Sequence, residues 1–522
     1  MSIESSAGKR LLVATVWTVL LGTVLAVIVL WWKPFSKHRI EQQTGSESRY
    51  KHRIVLRDDS FTGYCVLRCE AMKELLAKEG ILLAIEDDKA DYAGRMRALK
   101  DDKADLAVFT VDSLLVAGAK LGEFPATIVM VIDETRGADA IVAYKSAVAS
   151  IQDLNKPQAR FVLTPDSPSE FLARVVVSDF SLPNLSARWI TKADGAADVY
   201  ERFRKASRTQ PTAYVLWEPY VSKALGESGA HVLIGSDKLK GYIVDVLAAR
   251  RTFLRDNPEL VAKVVQAYLR AAYASRDNMA QLVMSDAKSA GEPISPVEAE
   301  RLVKGIQWKN TLENYAHFRL LSRQESLGLE DMEEIISKVA RVLGATGAVA
   351  GERLGVQANT LFYDKIMKDL QSSDFHPGRK LAIVSGVAEA IDPVRGEARL
   401  PALGERQWQN DLVAVGQMRI PPISFLRGTA ELGIQSRRDL DDLAGRLKSL
   451  PRYYLQVVGH ARSEGDPEAN MLLAKQRADM AAEYLVLRLG VERERVRSVA
   501  ASPSRDTGDA QSVTFQLMQL PY

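Results

Sequence analysis

Acidic side chains are concentrated in the loops that follow predicted strands in the first half of the chain. Residues 57–64, 110–113, 133–139, 164–169 and 217–218 carry the carboxylates Asp58, Asp59, Asp112, Asp133, Glu134, Asp139, Asp166 and Glu218. The cations in the same loops are Arg57 and Arg136. A bare phosphate or sulfate held between these loops would meet net electrostatic repulsion. The pattern therefore favours a cationic, zwitterionic or neutral ligand over a free oxyanion.

The side chains predicted to bind a ligand are the polar and aromatic residues of these loops: Asp59, Phe61, Tyr64, Thr110, Asp112, Arg136, Asp139, Ser167, Ser169, Trp217 and Glu218. Ser167, Pro168 and Glu170 are typical of a helix start with a capping box. The free N–H groups of that helix suit an anion, or the two side chains serve only as caps. Trp217 either forms a wall of the pocket or packs at a hinge.

Catalysis is not predicted. None of the six histidines falls in these loops, so no general base for neutral pH stands near the candidate ligand. We find no G-x-S-x-G motif, phosphate-binding Walker loop or metal-binding helix. Cys65 and Cys69 are four apart, which predicts two buried thiols and no metal site. We therefore predict a non-enzyme without cofactor or metal.

Strands and helices alternate from residue 51 onward. Strands are predicted at 53–56, 81–86, 106–109, 127–132 and 140–144, with helices at 67–79 and 93–100. A second set begins near Ile151 and includes a strand at 160–163. This alternation indicates βαβ units and a mostly parallel sheet. Residues 258–343 are predicted to be helical. Two α/β lobes followed by helices predict a bilobal fold whose ligand lies beyond the carboxyl ends of the strands.

Residues 51–345 resemble the periplasmic solute-binding proteins of the nitrate, sulfonate, taurine and thiamine-precursor group. Five segments carry the resemblance, and they follow one another in the family's order and spacing. They are residues 80–81 with 97–99 and 104–107, then 137–142, 166–172, 217–219 and 251–259. It implies two lobes that close over a small solute and usually present it to an ABC permease.

The last hundred residues form a separate α+β pattern. Strands are predicted at 420–425, 453–458, 496–500 and 512–518, with a helix that begins at Ser436 and a long helix at 468–489. Residues 423–425, 428–430 and 459–460 resemble the OmpA-like peptidoglycan-binding domain, as does the helix with Asn470 and Arg477. The resemblance implies that Arg477 binds the diaminopimelate carboxylate. The family's ammonium-binding Asp is replaced by Arg462, which reverses its charge.

Leu11 to Trp32 is a run of 22 residues without a charge. About 20 helical residues cross a bilayer, so the run is predicted to be an uncleaved transmembrane anchor. The small net charge of +3 and the absence of a Lys/Arg block argue against a nucleic-acid partner. Both resemblances place the bulk of the chain in the periplasm, with the anchor in the inner membrane.

Together these features predict five segments. They are a cytoplasmic stub and anchor (1–35), a tether (36–50), a bilobal solute-binding domain (51–371), a connecting segment (372–416) and an OmpA-like domain (417–522). The predicted function is an anchored solute receptor that docks to peptidoglycan and senses or delivers a small solute. The alternative is an envelope interaction scaffold in which both modules have lost their ligands.

Overall fold

The computed structural model describes residues 50–349, 356–379, 391–502 and 512–522 of the 522-residue chain. The predicted anchor, Leu11 to Trp32, lies outside these residues. Within the described ranges, no helix is both long and apolar enough to cross a bilayer. Backbone contacts separate a smaller unit, residues 50–54 and 73–84 among those described, from a larger unit that holds the others.

The strands are β1 (His52–Asp58), β2 (Ile81–Asp87), β3 (Leu106–Thr110), β4 (Ala126–Thr135), β5 (Asp139–Tyr144), β6 (Arg160–Leu163), β7 (Ile190–Lys192), β8 (Thr212–Trp217), β9 (Ala230–Gly235), β10 (Val244–Arg250), β11 (Ile306–Trp308), β12 (Val413–Gln417), β13 (Tyr454–His460), β14 (Val496–Ala501) and β15 (Val513–Gln519). The helices are α1 (Cys65–Arg68), α2 (Glu70–Lys78), α3 (Tyr92–Lys100), α4 (Val111–Leu121), α5 (Pro168–Asp179), α6 (Gly195–Arg204), α7 (Tyr220–Leu225), α8 (Arg251–Asp256), α9 (Pro258–Ser275), α10 (Met279–Ser289), α11 (Pro296–Gly305), α12 (Thr311–His317), α13 (Met332–Ala345), α14 (Lys365–Ser372), α15 (Glu405–Asn410), α16 (Ile434–Lys448) and α17 (Pro467–Glu483).

The smaller unit contains the first residues of β1, the end of α2 and the first residues of β2. Gly80 has a φ of +71°, which suits glycine, and its carbonyl accepts the backbone N–H groups of Lys51 and His52. Leu76 and Ile81 are buried. β1 and β2 continue from here into the larger unit.

The first lobe of the larger unit is built on a six-stranded sheet with the order β11-β4-β10-β3-β1-β2. β1 and β3 are parallel, whereas β10 is antiparallel to both β3 and β4. β3 and β4 are buried along their whole length, as befits a sheet covered by helices on both faces.

The second lobe is a five-stranded sheet with the order β7-β6-β8-β5-β9. β6 is parallel to β7 and β8, and β5 is antiparallel to β8 and β9. The predicted parallel pairing is present for β6 with β7 and β8 and for β1 with β3, whereas β5, β10 and β11 run antiparallel to their neighbours. β5 and β10 each enter a sheet directly from the other lobe, and a strand that arrives without a helical crossover is free to run antiparallel.

Two segments of chain link the lobes. The first crossover is residues 136–138, between β4 and β5, and the second crossover is residues 236–243, between β9 and β10. Each contains a glycine with positive φ, Gly137 at +141° and Gly241 at +64°. Glycine supplies the backbone freedom that a hinge requires at these positions.

The C-terminal domain has a four-stranded sheet with the order β12-β15-β13-β14, and α16 and α17 accompany it. β12 begins within the segment predicted to be a connection. The strand predicted at 420–425 is reduced to isolated bridges of Ile423 with Val513 and of Phe425 with Leu432. α16 begins at Ile434 and not at Ser436, because the Ser436 hydroxyl bonds to Ser424 and is not available as a cap.

Cys65 and Cys69 are buried, as predicted, and neither forms a disulfide bond. The single helix predicted over 67–79 is divided into α1 and α2, since Cys69 has extended backbone angles.

Candidate functional site

The predicted ligand-binding residues lie at the edges of the two sheets where the lobes meet. Asp59 follows β1, Thr110 ends β3, Asp139 begins β5 and Trp217 ends β8. The lobes touch on either side of this region. Lys120 of α4 bonds to Asp166 of the second lobe at 2.6 Å, and Arg301 of α11 donates to Ser222 of α7 at 2.6 Å.

Asp112 lies in the first turn of α4, where Thr110 caps the helix through the backbone N–H of Ser113. The Asp112 side chain is buried, and its Oδ1 atom has no hydrogen-bond partner among the described residues. Burial raises the pKa of Asp112 to about 7, and the nearby Glu170 charge adds to the effect. Asp112 is thus a buried acid that lacks a cation.

Asp139 is the matching residue of the second lobe. It begins β5 opposite Trp217, and its backbone N–H donates to Ser236 Oγ at 3.2 Å. Burial, together with the charges of Asp112 and Glu218, raises the pKa of Asp139 to about 7. Because Asp112 belongs to the first lobe and Asp139 to the second, this electrostatic effect acts between the lobes.

A second acidic pair lies deeper in the first lobe. Asp133 of β4 and Asp245 of β10 are direct partners in the antiparallel register. The Tyr64 hydroxyl donates to Asp245 Oδ1 at 2.5 Å. Neither carboxyl oxygen of Asp133 accepts a hydrogen bond from a described residue. Burial raises the pKa of Asp133 to about 7 and that of Asp245 well above its usual range. Two adjacent buried carboxyl groups cannot both ionise, so the pair retains a proton.

Other acids of the same loops are neutralised by cations. Asp59 pairs at 2.9 Å with Arg95, whose fully buried guanidinium also binds Asp88 at 2.5 Å. Asp58 pairs with Arg68 at 2.9 Å. Glu134 pairs with Lys309 at 2.7 Å; although burial opposes ionisation, Lys309 and then Arg136 lower the pKa of Glu134 to about 2.

The loop cations are also occupied. Arg136, predicted to bind ligand, pairs with Glu397 at 2.6 Å and with Glu134 at 3.5 Å. Arg57 pairs with Glu86 at 2.7 Å. Among the buried carboxyl groups of this region, those of Asp112, Asp139, Asp133 and Asp245 form no salt bridge with any described residue.

The polar residues at the start of α5 are arranged differently from the prediction. The Ser167 hydroxyl donates to the Thr164 carbonyl at 2.7 Å and makes no cap, and Glu170 accepts the Asp166 N–H and pairs with Arg174. The predicted capping box is therefore wrong. The Ser169 hydroxyl is fully buried and has no partner among the described residues.

The aromatic residues flank the site. Phe61 packs edge-to-face on Tyr64, with ring centroids 5.2 Å apart. Trp217 is half-buried and packs against the apolar core of the second lobe. The next residue, Glu218, accepts the Ser222 hydroxyl at 2.8 Å and thereby fixes the start of α7.

Sequence reasoning did not identify Arg95, Lys309 or Asp245. Asp245 is the one charged residue of β10 before Arg250. A charged residue in an otherwise apolar strand is rarely buried without a partner or a function, so this position could have been singled out from the sequence. The partners of Arg95 and Lys309 are remote in sequence, so no local pattern reveals them. In the described chain, no group of three or more His, Cys, Asp or Glu residues is arranged to hold a metal ion.

A cavity of about 320 Å³ lies elsewhere in the first lobe, between α9, α10 and residues 391–395. Its lining shares no residue with the predicted ligand-binding set.

In the C-terminal domain, Arg477 of α17 is 4% exposed and donates from Nε to the Thr429 carbonyl at 2.9 Å. Burial lowers its pKa. The Asn470 amide donates to the Glu464 carbonyl at 2.7 Å, and Arg462 is exposed next to it. Asp466 caps α17 through the N–H groups of Glu468 and Ala469.

Several solved structures are similar to the larger part of the chain. The alkanesulfonate-binding protein SsuA from Xanthomonas axonopodis pv. citri, bound to MOPS, is 17% identical with a TM-score of 0.44, over 60% of this chain and 99% of that one. The periplasmic aliphatic sulphonate-binding protein SsuA from Escherichia coli is 16% identical with a TM-score of 0.43, over 60% and 92%. The periplasmic nitrate-binding protein NrtA from Synechocystis PCC 6803 is 12% identical with a TM-score of 0.43, over 61% and 88%. The two-lobed architecture itself follows from the strand orders and crossovers described above.

No curated protein matches the chain significantly. A family model does match its C-terminal part. Residues 424–513 match the OmpA family, which confirms the OmpA-like domain predicted from the sequence.

Proposed function

We propose that the chain is an envelope receptor whose two lobes close over a small solute that carries a positive charge. Buried carboxyl groups that form no salt bridge support this ligand class. The most important are those of Asp112 and Asp139, whose charges interact between the two lobes. Burying an ionised carboxylate costs several kcal/mol unless a cation or hydrogen bonds compensate. A protonated amine or guanidinium between the two acids would provide that compensation.

The charges around these acids support the same ligand class. Arg95, Lys309 and Arg136 are each engaged by carboxylates, so they are not available to a nitrate, sulfate or sulfonate group. An oxyanion would have to displace an existing ion pair and then approach Asp112 and Asp139. A cation meets neither obstacle.

The test is calorimetric titration of the purified periplasmic part with choline, spermidine, L-arginine, taurine, sulfate and nitrate at pH 8. We expect binding of a cationic compound, and loss of that binding in Asp112→Asn and Asp139→Asn. Asp198→Asn is the matched control, because Asp198 is partly exposed on α6 and forms its salt bridge with Arg202 of the same helix. Binding of nitrate or sulfate with no response to amines would contradict the proposal.

We further propose that the C-terminal domain docks the receptor to peptidoglycan. The match to the OmpA family and the position of Arg477 on α17 support this role. By resemblance, the charge of Arg462 stands where the family uses a carboxylate for the diaminopimelate ammonium. Arg462→Asp should therefore increase binding in a peptidoglycan sedimentation assay, whereas Arg438→Asp on the exposed side of α16 should not.

The location that fits both modules is the periplasm, with residues 11–32 as an anchor in the inner membrane. The five segment boundaries predicted from the sequence belong to the same proposal. Reporter fusions before residue 9 and after residue 40 test the orientation. Alkaline phosphatase activity from the second fusion alone is the expected result.

The second candidate is an interaction scaffold that binds neither solute nor peptidoglycan. The burial of Arg477 against Phe425 and Thr429 favours it, because a carboxylate ligand needs an accessible guanidinium. Absence of any bound mass in native mass spectra, combined with no peptidoglycan sedimentation, would support the scaffold over the receptor.

A further inference from the structure

The C-terminal end of the chain lies against the second crossover. Lys238 is 9% exposed, and its Nζ atom donates to Gln519 Oε1 at 2.6 Å and to the Leu520 carbonyl at 3.2 Å. The same ammonium lies 3.8 Å from the ring centre of Tyr522. The Tyr522 hydroxyl in turn accepts the Gly235 N–H at 2.9 Å. These contacts attach the edge of the C-terminal domain to a link between the lobes.

The turn after α16 makes another attachment to the same crossover. The Ser449 carbonyl accepts the Lys240 N–H at 2.9 Å. Lys338 of α13 donates to Ser449 Oγ at 2.9 Å and to the Lys240 carbonyl at 2.8 Å. Ser449 therefore joins the second crossover to α13.

The first crossover is held by the segment that leads into the C-terminal domain. Glu397 binds Arg136 with two hydrogen bonds, of 2.6 and 3.0 Å. Two residues earlier, Arg395 pairs with Glu313 of α12 in the first lobe at 2.6 Å.

The second lobe is attached through main-chain groups. The Ser181 N–H donates to the Gln417 carbonyl at 2.9 Å, and the Arg419 N–H donates to the Asp179 carbonyl at 2.7 Å. The C-terminal domain thus contacts the second lobe and, through its edge and its leading segment, both crossovers.

In a two-lobed protein, opening and closing are absorbed by φ/ψ changes in the linking segments. In this protein the linking segments are the two crossovers. The C-terminal domain and its leading segment bind Arg136 of the first crossover and Lys238 and Lys240 of the second. We propose that closure of the lobes and docking of the C-terminal domain on the crossovers are energetically coupled, so that each stabilises the other. Coupling of this kind is reciprocal, and a ligand that closes the lobes would also tighten the docking. That last consequence rests on the proposed receptor function, whereas the coupling itself does not.

The first test breaks the docking and measures the lobes. Spin labels on Lys103→Cys and Lys205→Cys report the distance between lobes, since both lysines are exposed and the native cysteines are buried. In the full chain, the double variant Lys238→Met with Tyr522→Phe should show a second, longer distance between the two spin labels. The population of this open state should rise about fivefold for each hydrogen bond lost. The control is Arg208→Met with Tyr144→Phe, another cation–tyrosine contact of the second lobe, at 4.8 Å. It should leave the distance unchanged.

The second test opens the lobes and measures the docking. Lys120→Glu places a negative charge against Asp166 across the lobes, whereas Lys100→Glu reverses a similarly exposed pair with Glu123 within the first lobe. Hydrogen exchange in peptides that span residues 235–241 should become about three- to fivefold faster in Lys120→Glu and stay unchanged in Lys100→Glu.

Two results would overturn the coupling. One is a longer interlobe distance in Lys120→Glu with unchanged exchange at residues 235–241. The other is faster exchange at those residues in the Lys238/Tyr522 variant with an unchanged interlobe distance. Neither test uses a solute, so failure of the proposed ligand class would show only in the calorimetric titrations.

Discussion

Replacing Asp112 by Asn removes a buried carboxyl group while nearly keeping its shape. In the folded chain burial raises the pKa of Asp112 to about 7, against 3.8 for the unperturbed side chain. Between about pH 4 and pH 7 the folded protein therefore holds a proton that the unfolded chain has released. The free energy of unfolding falls by about 1.4 kcal/mol per pH unit across this window.

The difference between 7 and 3.8 is 3.2 pH units, so the full loss by pH 8 is up to about 4 kcal/mol. Asn has no proton to lose and avoids this loss. Asp112→Asn should therefore raise the unfolding free energy of the ligand-free chain by up to about 4 kcal/mol at pH 8 and by almost nothing at pH 4. Bound cation should reduce the gain at pH 8, because it stabilises the ionised wild-type side chain.

Urea denaturation followed by tryptophan fluorescence at pH 4.5, 6 and 8 measures the effect, with an unchanged m-value as the check on the transition. Asp198→Asn is the control with the opposite sign, since the hydrogen bond from Arg202 lowers the pKa of Asp198 and that stabilisation is present at pH 8. Equal midpoints for wild type and Asp112→Asn at pH 8 would refute the reasoning. So would a gain of the same size at all three pH values.

Two further substitutions test the packing. Arg95→Leu leaves the buried Asp59 and the half-buried Asp88 without their cation and should cost about 3–5 kcal/mol in urea denaturation at pH 7.5. A loss below about 1 kcal/mol would show that the ion pairs contribute little. Gly459→Ala would place a Cβ 2.0 Å from the Ala474 carbonyl oxygen, so α17 cannot keep its place on β13 and the C-terminal domain should lose its cooperative unfolding transition. Gly445→Ala in α16 has nothing within 4 Å of the new Cβ and should instead stabilise that helix slightly; similar behaviour of both variants would contradict the close approach at Gly459.

The sequence predicts most elements of the two lobes because their apolar runs are bounded by polar turns. The strand predicted at 160–163 is β6 without any change of boundary. Strand direction could not be predicted, since β5 and β10 take theirs from the lobe that they enter and not from their own residues. In the C-terminal domain, β12 was missed because its three successive apolar residues, 413–415, followed by Gly416, give no alternating pattern.

The candidate site shows the same limit. The acidic loops could be located from sequence, yet their charges could not be sorted into paired and unpaired. Asp59 and Asp112 look alike in sequence, but Arg95 reaches the first from α3 whereas Asp112 has no such partner in the described chain. The Ser167 and Glu170 pattern was misleading because Arg174, one turn later, competes for the Glu170 carboxylate.

The buried Arg95 guanidinium, described above as the partner of Asp59 and Asp88, bears on how readily the ligand preference could be inverted. Its positive charge is neutralised by Asp59 and Asp88, and Asn is nearly the same shape as Asp but uncharged. Changing both to Asn would leave a buried cation without its counter-charges and would keep the backbone. Under the proposed function, a receptor for cations and a receptor for oxyanions would differ on this scaffold by a few side-chain charges and not by fold.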